Sequence, residues 1–255
     1  GSTNYLRGRY AEARGYFEAA RAVREQTGER AALGQTLNFL GLALNSMGQS
    51  DSARIAFDQS LEIAVSQGDS ARALTAMSNL HSVLVSSGDF AAAEALAARA
   101  IPLARSLNDA ASLRTLHHNE GVALAESGRF GEARAELDTA LAMADAARDA
   151  NARALALREL GRLELRIDDP QRARPWLDRA RAAADSLGIP YLRASVRNNV
   201  ALASRLEGDP AGTEAMAREA LAIAVGAADS LQVREIAVTL GQLAETRGDA
   251  RAAQD

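Results

Sequence analysis

Residues 37–60 read LNFLGLALNSMGQSDSARIAFDQS, and residues 157–180 read LRELGRLELRIDDPQRARPWLDRA. The two stretches match position for position: Leu37, Leu40 and Gly41 against Leu157, Leu160 and Gly161, then Ala53, Phe57 and Ser60 against Ala173, Leu177 and Ala180. Large apolar residues spaced by three and four lie on one face of a helix, which is the 3.6-residue period and not the period of a strand. Gly48 in the first stretch and Asp168 in the second stand between two such patterns, where a turn must separate one helix from the next.

The match extends along the whole chain. Gly8, Gly48, Gly88, Gly128, Gly208 and Gly248 are separated by multiples of 40, and position 168 holds Asp, another residue that turns tolerate. Small residues recur in the same register: Ala13, Ala53, Ala93, Ala133 and Ala173 five places after the turn, and Ala20, Ser60, Ala100, Ala140, Ala180 and Ala220 twelve places after it. A larger apolar residue stands nine places after it at Phe17, Phe57, Leu137 and Leu177, but Ala97 and Ala217 take that place in the other two repeats. Each period therefore predicts two helices. The first of each pair covers about 31–46, 71–86, 111–126, 151–166, 191–206 and 231–246, and the second about 10–26, 50–66, 90–106, 130–146, 170–186 and 210–226. Asp-Pro at 169–170 and 209–210 opens a second helix, since proline suits the first helical position, and Gly28, Gly68 and Gly188 close others. Pro102 lies inside a predicted helix and is expected to kink it.

Composition agrees with an all-helical chain and removes much chemistry. Of 255 residues 58 are Ala, aromatics are 4% and prolines number five, so helix propensity is high and strand propensity low. The 29 basic residues are all Arg, so no lysine serves a phosphate-binding loop, a Schiff base or a kinase-type site. Without cysteine there is no thiol nucleophile, disulfide or thiolate metal site. No GxSxG, GxGxxG or EF-hand pattern occurs. A net charge of -4 argues against nucleic acid as the main partner, and no apolar run approaches a membrane span, so a cytoplasmic location is expected. The opening Gly1-Ser2, without methionine, reads as a cleavage scar.

Leu37-Leu40-Gly41-Leu44 followed by Ala53-Phe57-Ser60, and Leu157-Leu160-Gly161 followed by Ala173-Leu177-Ala180, resemble the tetratricopeptide repeat pattern over essentially the entire chain. The resemblance implies an all-α, right-handed α-solenoid of tandem helix-turn-helix repeats, a single superhelical domain over 1–255. The period of 40 exceeds the usual 34 and is similar to that of repeats in polarity adaptors, kinesin light chains and bacterial regulators that couple the array to a CHAT-type protease, a kinase or a DNA-binding domain. His81 and Ala201 depart from the pattern at its glycine, and Glu120 at its leucine. What the resemblance implies is a non-catalytic protein-interaction scaffold, without cofactor or metal, that takes a peptide or partner domain in its concave groove. The alternative is a regulatory or sensor segment of a larger protein. Tyr5-Leu6-Arg7 reads as the tail of one helix and Ala250 to Asp255 as the start of another, without polar caps, so a fragment of a longer chain, open to self-association at its ends, is expected.

Carried onto this chain, the groove positions of the family imply Asn38, His118, Arg158, Arg162, Asn198 and their neighbours as partner-binding residues. Arg158, Arg162 and Arg166 recur every four residues on one helical face, and Arg205 extends the stripe from the next first helix. Residues 151–197 hold ten arginines and six acids, net +4, against 19 and 27, net -8, in the remainder. Guanidinium groups bind carboxylates bidentately, so one reading is an acidic peptide partner; the other is a solvated face on which Glu159 and Glu164 neutralise the stripe. His117, His118 and His81 invite a metal site, but His117 takes a packing position and no ligand spacing supports one. Ser50-Asp51-Ser52 and Asp69-Ser70 read as helix-cap chemistry.

Overall fold

The computed structural model describes residues 1–6, 9–227, 229–246 and 248; the predicted turn at Gly8 and the predicted helix start at Ala250 to Asp255 lie outside the described residues. Among the described residues every regular element is an α-helix: α1 Ser2–Leu6, α2 Tyr10–Thr27, α3 Arg30–Ser46, α4 Ser50–Ser66, α5 Ser70–Ser86, α6 Phe90–Ser106, α7 Ala110–Glu126, α8 Phe130–Ala146, α9 Ala150–Arg166, α10 Pro170–Leu187, α11 Pro190–Leu206, α12 Pro210–Gly226 and α13 Ser230–Thr246. Each of the twelve longer helices begins and ends within one residue of the range read from the sequence. No described helix is long and apolar enough to cross a membrane.

The backbone rhythm is half the sequence period. Left-handed residues end helices at Gly28, Gly48, Gly68, Gly88, Asn108, Gly128, Arg148, Asp168, Gly188 and Gly208, one every twenty residues. At each of these turns an amide reaches back over the last helical turn, as Asp109 N–H does to the Ala104 carbonyl at 3.0 Å. Aspartate then restarts the chain. Asp69, Asp89, Asp109, Asp149, Asp169 and Asp209 each accept the backbone N–H three residues on, at 2.9 to 3.3 Å. The expected cap at Ser50-Asp51-Ser52 is not made: Gln49 takes the cap position without a side-chain bond, and those three residues lie inside the first turn of α4. Pro102 does not end α6, which runs on to Ser106. The carbonyl that loses its partner, on Ala98, lies on an exposed face where water can serve it.

The chain falls into two compact units, Gly1–Arg129 and Phe130–Asp255. In the first, Phe17, Leu40, Phe57, Leu74, Leu80, Leu96 and Leu116 form a continuous core, with Phe39 stacked on Phe17 at 5.6 Å. In the second, Leu177, Val200 and Ala203 form one cluster and Ala201, Ala217, Ala220 and Ile236 another.

The close approach within a helix pair is set by one first-helix position and the residue sixteen places later. A Cβ on Gly41 would lie 2.6 Å from the Phe57 ring, and one on Gly161 2.5 Å from Leu177 Cδ2, so the large residue of the second helix fills the space the glycine leaves. Where the first-helix residue is larger, the second-helix residue is small: His81 with Ala97, Ala201 with Ala217. The departures from the repeat pattern thus compensate in volume, as a close-packed interior requires.

Candidate functional site

The first helices of each unit carry the positions at which a partner is expected, so each set is described by itself. In the first unit these are α3, α5 and α7. Asn38 is half-buried, and its side-chain oxygen accepts a hydrogen bond from Asn79 Nδ2 of α5 at 2.9 Å. One helix further, Asn119 Nδ2 donates to Ser82 Oγ at 2.6 Å, while the Ser82 hydroxyl donates to the Ser78 carbonyl at 3.0 Å. His118 is half-buried beside Asn119, and His117 is buried. Behind this row His81 Nε2 lies 3.0 Å from Glu120 Oε2, both side chains buried. His81 of the three-histidine cluster is thereby committed to a carboxylate of α7, and the two departures from the repeat pattern meet each other.

Beside Asn38 the row opens into a cavity of about 180 Å³ bounded by α3, α4 and α5. Gly34, Phe39, Ile63 and Ala64 supply its apolar part, and Gln35, Asn38, Ser60, Gln67 and Thr75 its uncharged polar part. A Cβ on Gly34 would lie 3.0 Å from Ile63 Cγ2, so the two helices approach closely there, and the Gly34 carbonyl accepts from Ser60 Oγ at 2.9 Å, which holds α3 against α4. Arg72, the one cation on the lining, pairs with Asp69 at 2.8 Å.

In the second unit α9, α11 and α13 carry charge. Glu159, 4% exposed, receives Arg158 Nη2 at 2.6 Å on one carboxylate oxygen and Arg162 Nε at 3.1 Å on the other. One buried acid therefore gathers two arginines of the stripe. Glu164, the other acid on α9, turns instead to Arg134 of α8, whose guanidinium also lies 5.2 Å from the Trp176 ring. Arg166 is exposed; Arg205 is half-buried, with its Nε buried and unbonded. Asn198 is buried, and its oxygen accepts from Thr239 Oγ1 of α13 at 2.9 Å.

Deeper in α11, Arg197 joins three elements. Its guanidinium lies 2.8 Å from Asp185 of α10 and 3.1 Å from Glu219 of α12. The hydrogen bond from Arg197 outweighs partial desolvation and holds the Asp185 carboxyl below its ordinary range; the same bond raises the Arg197 value.

Sequence reasoning placed Asn38 and Asn198 but missed their partners, Asn79 and Thr239. Each lies 41 residues further on, one period plus one. Asn119 with Ser82 and Glu120 with His81 are offset to the other side of the period, at 37 and 39. A search for polar residues slightly off the period finds all four pairs.

The sequence model of the tetratricopeptide repeat matches residues 1–66, 33–106 and 112–186. Among curated proteins no sequence matches. Solved structures share the fold. The apo form of RapI is 14% identical with a TM-score of 0.80, over 99% of this chain and 90% of that one. The Rap conjugation gene regulator of the plasmid pLS20, in complex with the Phr* peptide, is 15% identical with a TM-score of 0.77, over 99% of this chain and 68% of that one. PilW, a type IV pilus biogenesis factor, is 18% identical with a TM-score of 0.63, over 92% and 94%.

Proposed function

The chain belongs to the tetratricopeptide repeat family, and from that premise we propose that it is a non-catalytic cytoplasmic scaffold that holds an extended peptide or partner segment across its first-helix faces. The observation that carries this is the row of uncharged polar side chains over α3, α5 and α7. Asn38, Asn79, Ser82 and Asn119 are half-buried and bonded to one another across helices, yet their amides retain donors and acceptors that no internal bond uses. An extended peptide offers a matching sequence of N–H and C=O groups. The peptide-bound Rap regulator of the same fold supports the reading.

A second element of the proposal is an acidic partner on the arginine face, favoured by the net +4 of residues 151–197. Arg158 and Arg162 already share Glu159, so an acidic segment gains contact by exchange with that carboxylate rather than by meeting uncompensated charge. Arg166 and Arg205 belong to the same proposed face.

The test is selection of displayed random peptides on the full chain, followed by affinity measurement on variants that keep their helicity by circular dichroism. Asn38→Ala with Asn79→Ala is expected to weaken a selected peptide about tenfold, by removing two amide contacts. Arg158→Glu with Arg162→Glu is expected to weaken acidic peptides alone. Failure to select any peptide, or binding indifferent to both double variants, overturns the reading.

A further inference from the structure

We propose that the cavity between α3, α4 and α5 is an anchor site for one uncharged apolar side chain of the bound peptide, of the size of Leu, Ile, Met or Phe. The inference rests on the peptide-binding reading and adds to it what residue the peptide must carry and where. Three observations bear on it.

The first is volume. About 180 Å³ is far more than a single water needs and is comparable to the ~150 Å³ apolar cavities that take up benzene-sized guests. The second is charge. The apolar part comes from Gly34, Phe39, Ile63 and Ala64, the lining carries no acid, and its one cation, Arg72, is already paired with Asp69 at 2.8 Å, so a cationic guest meets no counter-charge and an anionic one must displace Asp69. The third is the placement of backbone-reading groups: Asn38 lines the cavity, and Asn79, outside the lining, is bonded to it. Asn79 Nδ2 donates to Asn38 Oδ1, which leaves the Asn38 amide N–H groups and the Asn79 oxygen without a partner among the described residues. A donor and an acceptor side by side match the C=O and N–H of one peptide unit. The residue whose backbone they hold is the residue whose side chain reaches the cavity.

Neither element suffices alone. The amide pair without the cavity reads any residue, and the cavity without the pair takes any small apolar molecule. Together they select an aliphatic or phenyl side chain at one fixed place along an extended segment, whereas Lys and Arg at that place meet no acid and are rejected through desolvation, and Asp and Glu bind only by displacing Asp69 from Arg72.

The experiment uses peptides selected on the full chain from a displayed random library. The expected result is enrichment of Leu, Ile, Met or Phe at one position. In a selected peptide, replacement of that residue by Ala is expected to weaken binding to the wild-type chain about tenfold, the effect of withdrawing one aliphatic side chain from an apolar site. Two variants fill the cavity: Ala31→Phe from its exposed mouth, and Ala64→Leu from within. In Ala31→Phe the peptide is expected to bind about as weakly as its Ala version, and the Ala replacement to have no further effect, a coupling that a general loss of fold does not produce. Ala64→Leu repeats the measurement if its circular dichroism matches that of the wild type. Peptides enriched without an apolar anchor, or anchors that bind both filled variants as well as the wild type, overturn the inference and leave the peptide-binding reading standing. Failure to enrich any peptide removes both.

Discussion

The unit up to Arg129 and the unit from Phe130 onward are built to one rhythm and decorated with opposite chemistry. Both use helices of seventeen or eighteen residues closed by left-handed turns, and in both a first-helix glycine, Gly41 or Gly161, lies against a large second-helix residue. On the first helices the earlier unit bears Asn38, Asn79, Ser82 and Asn119, and the later one Arg158, Glu159, Arg162, Glu164 and Arg197. The buried contacts within a pair fix the backbone, so the remaining positions vary without disturbing it. The second unit also spends much of its charge on itself. Arg158 and Arg162 meet Glu159, Arg134 meets Glu164, Arg174 meets Glu207, and Arg197 meets Asp185 and Glu219. The excess of arginine there is to a large extent internal bonding, whereas the amides of the first unit keep unused capacity.

Equal packing under unequal decoration is broken most directly by overfilling the same place in each unit. Gly41→Leu drives a side chain into the Phe57 ring, and Gly161→Leu into Leu177. Each is expected to cost about 3 kcal/mol, the upper part of the usual range for overpacking. Urea unfolding followed by circular dichroism measures both, and fluorescence of the single tryptophan, Trp176, reports the second unit. The volume rule is sharpened by rescue: Phe57→Ala in the Gly41→Leu background is expected to recover part of the loss, as His81 with Ala97 already does elsewhere in the chain. A large cost at one glycine and none at the other breaks the equivalence of the two units.

The electrostatic difference is tested by pH and salt. Asp185 has its folded value lowered by Arg197, so it stabilises the fold above the unfolded carboxylate value of about 3.9 and ceases to as pH falls through the folded value. Its side chain is 40% exposed, so Asp185→Asn is expected to cost only about 1 kcal/mol at neutral pH, less at high salt, and nothing once the carboxyl is protonated. Asp109 in the first unit is also lowered, chiefly by the Ser112 backbone N–H it caps. Asp109→Asn is expected to cost a few tenths of a kcal/mol, since Asn caps nearly as well, with little response to salt. Asp58 acts in the reverse sense: partial desolvation of its largely exposed carboxyl raises its value against the pull of Arg54, so it favours the fold slightly less as pH rises through its titration. Urea midpoints at neutral and acid pH, each at low and high salt, separate these cases. Equal salt dependence of the Asp185 and Asp109 variants removes the electrostatic distinction between the units.

The helices and their ends were legible because each turn needs a residue that tolerates a special backbone, and glycines in two registers of period 40, one at 48, 88, 128 and 208 and the other at 28, 68 and 188, mark most of them. At 108 and 148 the turn carries no glycine, and there the helix ends followed from the apolar period alone, with Asn108 and Arg148 taking the same conformation. The pairing of His81 with Ala97 and of Ala201 with Ala217 was present in the sequence as two separate departures, and it becomes one rule once sixteen residues are known to separate contacting positions. The candidate site was less legible. Neighbouring first helices place side chains in contact slightly off the period, so a search at strict repeats passes over Asn79, Asn119 and Thr239. Which acid meets the arginine stripe depends on where each points: Glu159 turns to it and Glu164 to α8. The cavity beside Gly34 has no sequence signature, because it depends on three helices leaving space together.

The smallest effect concerns the turns that lack glycine. Arg148 and Asn108 end corresponding helices of the two units with φ of 53°, and their backbone bonds are alike: Arg148 N–H to the Asp145 carbonyl and Asn108 N–H to the Arg105 carbonyl, both at 3.1 Å. For an L-residue with a long side chain this conformation costs about 1–2 kcal/mol, whereas Asn adopts it readily through its short polar side chain. Glycine removes that cost but loses more chain entropy on folding, by roughly 0.5–1 kcal/mol. Both side chains are exposed, so no packing enters the balance. Arg148→Gly is therefore expected to raise stability by about 0.5–1 kcal/mol, and Asn108→Gly to leave it unchanged or slightly lowered. Equal gains at the two sites would mean that the side chain does not set the cost of a left-handed turn here, and the two units would then differ in their surface chemistry alone.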